Sequence, residues 1–164
     1  MKNLKIICII VICILSSTIN AQEKKTSQEA IATFEINDAR DNGYDITPDV
    51  LENNARLVLY KSRDGKEIML SNYWEKSNSQ SYGPIYSITK EENPVTEFKT
   101  ETFHFQWSYQ NTYDAIKGTS SVKLIVNHKP NGNYYELTLF TEYLDVLIYS
   151  GVMKGDLTSL VNKN

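Results

Sequence analysis

The chain has 164 residues, with 17 lysines and arginines against 20 aspartates and glutamates, and aromatic side chains make up 11% of it. A net charge of −3 without any basic cluster lacks the electrostatic footprint of a nucleic-acid binder or of a protein drawn to anionic membrane surfaces. The length suits one domain with a full core and is short for two.

Lys2 and Lys5 precede an apolar run, residues 6–15 (IICIIVICIL), and residues 16–21 are small and polar. That is the layout of a secretory signal peptide over residues 1–21, and its apolar run is too short to span a bilayer. Cleavage after Ala21 predicts an exported chain, periplasmic or secreted, with no transmembrane segment. Lipid attachment at Cys13 is disfavoured, because that chemistry prefers a small residue where Ile12 stands. Both cysteines, Cys8 and Cys13, fall inside the signal. The mature domain therefore has no disulfide, no thiolate metal site and no cysteine nucleophile, and its core alone must hold it.

Residues 22–29 form a polar lead. Residues 30–36 (AIATFEI) read as a first strand, and residues 37–45 (NDARDNGYD) as a loop rich in Asp, Asn and Gly. Thr47-Pro48-Asp49 offers an N-cap, a proline at the first helical position and an acid in the first turn, which predicts a short helix over 48–53. Residues 56–62 and 66–74 are strand-like runs joined around Asp64-Gly65, a hairpin signal. After a polar loop at 76–81, residues 82–89 read as a strand. Gly83-Pro84 removes a ladder donor there and predicts an edge or a bulge.

Residues 97–109 (EFKTETFHFQWSY) are the centre of the pattern. From Glu101 onward Phe103, Phe105, Trp107 and Tyr109 fall on one face, and Thr102, His104, Gln106 and Ser108 on the other. Residues 111–118 connect to a further alternating strand, 120–128, with Val122, Leu124 and Val126 in phase. Residues 130–133 (PNGN) turn the chain into 134–142. Residues 145–152 supply the last strand, which closes a β domain spanning 30–157 with a tail from 158.

About eight short strands, hairpin turns, one short helix and no long 3.6-residue period predict an all-β antiparallel meander. Sequential hairpins favour an up-and-down barrel over the alternative β-sandwich, since closure removes exposed edges. The plan of a signal peptide followed by an eight-strand meander with an early helix resembles the lipocalin-type barrels in architecture. Residues 30–36 lack the Gly-x-Trp of those proteins, and the mature chain lacks their disulfides. The resemblance therefore carries no residue assignments, and implies only a ligand site inside the barrel.

Metal and catalytic signals are sparse. His104 and His128 are the only histidines; a paired strand would bring them near each other, but Glu101 points away from His104 and a zinc site needs three or four ligands. Asp38, Asp41 and Asp45 in the 37–49 segment suggest calcium superficially. With Gly43 at the sixth position of an EF-hand loop, Arg40 takes a ligand position, so a solvated turn fits better. No G-x-S-x-G, H-E-x-x-H or glycine-rich phosphate loop occurs. No cofactor is implied.

The aromatic residues carry the functional expectation. Phe103, Phe105, Trp107 and Tyr109, with Trp74, Tyr82, Tyr86 and Tyr135 placed nearby, are the candidate lining for a small apolar or aromatic ligand, because a tyrosine ring packs against apolar matter while its hydroxyl stays polar. An eight-stranded barrel interior is wide enough either to hold one small ligand or to be filled by side chains. The alternative is a cell-envelope interaction module that contacts a protein or glycan through exposed tyrosines and the loops 37–45 and 76–81.

Overall fold

A computed structural model describes residues 28–93 and 98–161 of the chain. The signal peptide, Cys13 and most of the polar lead lie outside the described residues. The strands are β1 (Ala30–Asp41), β2 (Tyr44–Asp45), β3 (Arg56–Lys61), β4 (Ile68–Trp74), β5 (Ser79–Asn93), β6 (Thr100–Asn111), β7 (Lys117–Lys129), β8 (Gly132–Thr141) and β9 (Val146–Gly155). One helix, α1 (Thr47–Glu52), lies between β2 and β3, and a 3-10 turn (Thr158–Leu160) follows β9.

All neighbours pair antiparallel in the order β2-β1-β3-β4-β5-β6-β7-β8-β9, and β1 also pairs with β9. The sheet therefore closes into an eight-stranded up-and-down barrel of lipocalin-like form, with β2 as a short extra strand. It is not a sandwich. Among the described residues no helix is long and apolar enough to cross a membrane.

Strand alternation builds the core in hoops. Phe103 pairs with Leu124, Leu124 with Leu137, Leu137 with Tyr149, and Tyr149 with Ala39. One layer over, Phe105, Val122, Leu139 and Leu147 form the next hoop. Phe34, Leu57, Leu59 and Leu70 fill the side formed by β1, β3 and β4, and all four are buried. Each such side chain contributes about 1.5–3 kcal/mol when fully buried. The 3-10 turn brings Leu160, with Leu157 before it, against one end of the barrel, so the packed domain reaches past residue 157.

Three sequence expectations need correction. Strand β1 does not stop at Ile36. A bulge between Ile36 and Asp38 shifts its register against β9, and pairing resumes through Asp41 and Leu147. The extra residue breaks the period-2 pattern, which makes residues 37–41 look like loop. Strand β5 runs well beyond 82–89 in both directions. Its bulge falls between Tyr86 and Thr89, where Ser87 has φ +54°, and not at Gly83-Pro84. Gly83 instead permits close approach to β6, since a methyl group there would lie 1.8 Å from the Ser108 carbonyl oxygen. Finally, Thr47 does not cap α1. The helix starts at Thr47 after Ile46, while the Thr47 hydroxyl accepts a bond from the Ala39 amide at 2.9 Å and ties the helix to β1.

Candidate functional site

The aromatic wall lies in the core. Phe103, Phe105, Trp107 and Tyr135 are buried, and Tyr109 and Trp74 pack partly buried against them. Phe34 meets Tyr135 edge-on at 4.9 Å between ring centroids, and Trp107 meets Tyr109 at 4.8 Å. Water reaches almost none of these buried surfaces, so the middle of the barrel is occupied by its own side chains. Among the described residues the Trp107 indole N–H and the Tyr135 hydroxyl find no hydrogen-bond partner. Burial, then the neighbouring Tyr149 and Glu35, push the Tyr135 phenol well up from its ordinary range.

Tyr82 and Tyr86 do not join this wall. Ile85 pairs with inward Trp107 and Tyr86 with outward Gln106, so the tyrosines of β5 stand on the outer face, 37% and 44% exposed. Hydrophobicity alone favours them inside, but the bulky rings of β6 fill the adjoining space and leave room only for Gly83 and Ile85.

The two histidines also separate. His104 pairs with Lys123 on the outer face of β6 and β7, whereas His128 lies in phase with the inward residues of β7 near one barrel end. There His128 Nε2 meets Glu101 at 2.6 Å and Nδ1 meets the Asn133 side-chain oxygen at 2.9 Å. The other Glu101 oxygen accepts from Lys90 at 2.7 Å and Lys99 at 3.0 Å. Glu101 itself is only 8% exposed. Burial alone would push its carboxyl up, but the hydrogen bonds from Lys90, Lys99 and His128 outweigh that and hold the pKa at about 2. Both imidazole nitrogens are engaged, one by a carboxylate and one by an amide oxygen. Sequence reasoning missed this cluster, although Glu101 in phase with Phe103 was its trace.

Among the described residues no three histidine, cysteine or carboxylate side chains gather to hold a metal ion. In the 37–49 segment Asp38 faces Arg40 at 3.4 Å, and Asp45 accepts from the Thr47 amide at 2.9 Å.

The concave site lies in the barrel wall. Strand β3 pairs with β1 only from Ala30 to Phe34, because β3 begins at Arg56, opposite the middle of β1. Helix α1 and the turn after it occupy the gap, held by bonds from the Asn54 amide to Leu51 and the Ala55 amide to Val50. The result is a cleft of about 610 Å3. Phe34, Ile36, Val50, Ala55 and Leu57 give it an apolar floor, and exposed Leu51 stands at its edge. Glu35, Asn37, Asn54, Arg56 and Lys154 make the polar rim. The rim charges are paired at the surface, Lys154 with Glu35 at 3.7 Å and Arg56 with Glu75 at 3.4 Å. Such exposed pairs are weak and exchange partners readily. An apolar floor with a few polar groups at the rim, at this volume, is the form of a small-molecule site.

A second feature lies on the turns at one barrel end. Tyr113 and Ile116, Tyr143 and Leu144, and Tyr44 are exposed, with Leu144 at 88% and Tyr113 at 81%. Asn42 bonds to Asp145 and to the Val146 amide, and the Glu142 carboxylate accepts from the Thr119 amide at 3.3 Å, so the three turns are neighbours. Leu144 takes φ +68° at its turn, an unusual conformation for a leucine. Burial, and then Glu142, Tyr143, Asp114 and Asp145, push the Tyr109 phenol up.

No protein-family model, curated protein or solved structure matches this chain.

Proposed function

We propose that this protein is an exported binding protein for a small, largely apolar ligand, held in the wall cleft between β1, β3 and α1. The observation that carries the reading is the interruption of the β1–β3 ladder, which opens a cleft of about 610 Å3 over buried Phe34, Ile36 and Leu57. The filled core beneath gives the cleft a rigid floor, so little ordering is needed on binding. Affinity comes from covering apolar surface at about 25 cal/mol per Å2, and the rim amides of Asn37 and Asn54 orient the polar end of the ligand.

The test uses dodecanoate and the dye 1-anilinonaphthalene-8-sulfonate as probes. Leu51→Asp places a charge at the edge of the cleft on an exposed helix position. It is expected to weaken both probes about tenfold while leaving thermal unfolding nearly unchanged. Unaltered binding by this variant would remove the cleft from consideration. Native mass spectrometry of the purified protein adds a direct readout, because a copurified ligand appears as mass lost on denaturation.

The exposed turn residues favour a second reading, an envelope interaction module. Tyr113, Tyr143 and Leu144 sit on turns pinned by side-chain hydrogen bonds, which presents apolar groups in fixed positions, as a recognition surface does. A photocrosslinker at position 144 in living cells should then give one discrete adduct. A smear or no adduct counts against it.

A further inference from the structure

The outer face of β3, β4 and β5 carries a depression next to the wall cleft, with Val58 on the border between them. It forms because the wall has a small residue, Ser71, opposite Val58 on one side and Tyr82 on the other. Tyr73 follows two positions along β4 on the same face, and Tyr60 follows Val58 along β3. The hollow over Ser71 measures about 470 Å3 and is walled by the rings of Tyr60 and Tyr73. At its floor the Gln80 side-chain amide donates to the Ser71 hydroxyl at 2.8 Å, and Gln28 stands at the rim.

The chemistry of this lining is selective. Among the described residues lining it there is no ionisable acid or base other than the two phenols. The charged side chains next to it come as opposite pairs, Lys61 beside Glu29 at 3.1 Å and Arg56 beside Glu75 at 3.4 Å, and so present no net charge. Among the described lining residues a charged ligand meets no counter-charge. A purely apolar ligand would cover the amides and the hydroxyl without satisfying them, which costs free energy. A neutral polyhydroxylated ring answers both demands. Its C–H face lies on a tyrosine, and its hydroxyls pair with Gln80, Ser71 and Gln28.

We propose that this hollow is a binding site for a neutral sugar ring. It is distinct from the wall cleft, and the two readings fail separately. Burial, with Tyr82 nearby, pushes the Tyr60 phenol further up, so its hydroxyl remains a hydrogen-bond donor at neutral pH.

The experiment is calorimetric titration of the full domain with cellohexaose, xylohexaose, maltohexaose and chitohexaose. At least one is expected to bind, and Tyr73→Ala to weaken it about tenfold, with Tyr73→Phe close to the parent. Gln80→Leu keeps both aromatic walls, so its loss of sugar binding supports the same site should Tyr73→Ala fold poorly. Dye binding in the wall cleft is expected to be unchanged by Gln80→Leu. No binding of any of the four sugars at millimolar concentration overturns the proposal, as does binding that both Tyr73→Ala and Gln80→Leu leave intact.

Discussion

Trp107→Ala is expected to lower folding stability by about 3–5 kcal/mol. The indole is buried at the centre of β6, between the outer-facing neighbours Gln106 and Ser108 and against Tyr109. Its β7 partner is Ser120, which is too small to move into the space. Removing the ring leaves a void that the surrounding strands of a closed barrel close only in part. The indole N–H has no hydrogen-bond partner among the described residues, which reduces the loss somewhat, because its removal costs none of their hydrogen bonds. Urea unfolding followed by circular dichroism measures the change. Trp74 is then the single tryptophan left, and its fluorescence reports separately on the turn end of the barrel. Probe binding in the wall cleft should persist in the folded fraction. Binding lost with stability intact would instead place the ligand against Trp107 and restore the interior as the site.

Glu101→Gln carries the second large effect, and it depends on pH. The native carboxyl has a pKa of about 2 against an ordinary value of 4.5. A group whose folded pKa is depressed contributes its full stability above the unfolded value, and loses it as pH falls towards the folded one. The window here runs from pH 4.5 down to about 2. The contribution is roughly 3 kcal/mol at neutral pH. The neutral amide also removes the anion that Lys90, Lys99 and His128 share, and hydrogen bonds to a charged acceptor are stronger than those to a neutral amide. The variant is therefore expected to be less stable at neutral pH, with the gap closing steadily below pH 4.5. Superimposable stability–pH curves for the two proteins would show that the cluster contributes nothing.

Most of the barrel was legible because its strands obey simple rules. Asp64-Gly65 and the 130–133 turn mark two hairpins, and the alternation of Phe103, Phe105 and Trp107 marks an inward face. Three things were not. The bulge after Ile36 shifts the phase of β1, so local alternation ends before the strand does. The face of β5 depends on what β6 leaves room for, and no property of Tyr82 or Tyr86 alone reveals it. The meeting of Glu101 and His128 depends on the β6–β7 register, which places Glu101 beside Val126, one inward position from His128. The wall cleft had a faint trace in Val50 and Leu51, apolar residues in a helix too short to need two. Its cause, the late start of β3, is a property of pairing and not of any one segment.

The β1–β9 seam has a consequence for how the chain reaches its native state. The first strand of the barrel, which also pairs with β2 and β3, finds its remaining neighbour only in the last, and the bond between Val146 and Asn42 spans 104 positions. Closing so long a loop is slow, because its entropy must be lost before the contacts that reward it exist. Until residues 146–155 are available, β1 and β8 each present an open ladder edge, the kind of edge through which chains aggregate or swap strands. The ring therefore shuts only after the residues of all eight barrel strands have been delivered. The molecule is most vulnerable to its own copies in the interval before the final strand arrives.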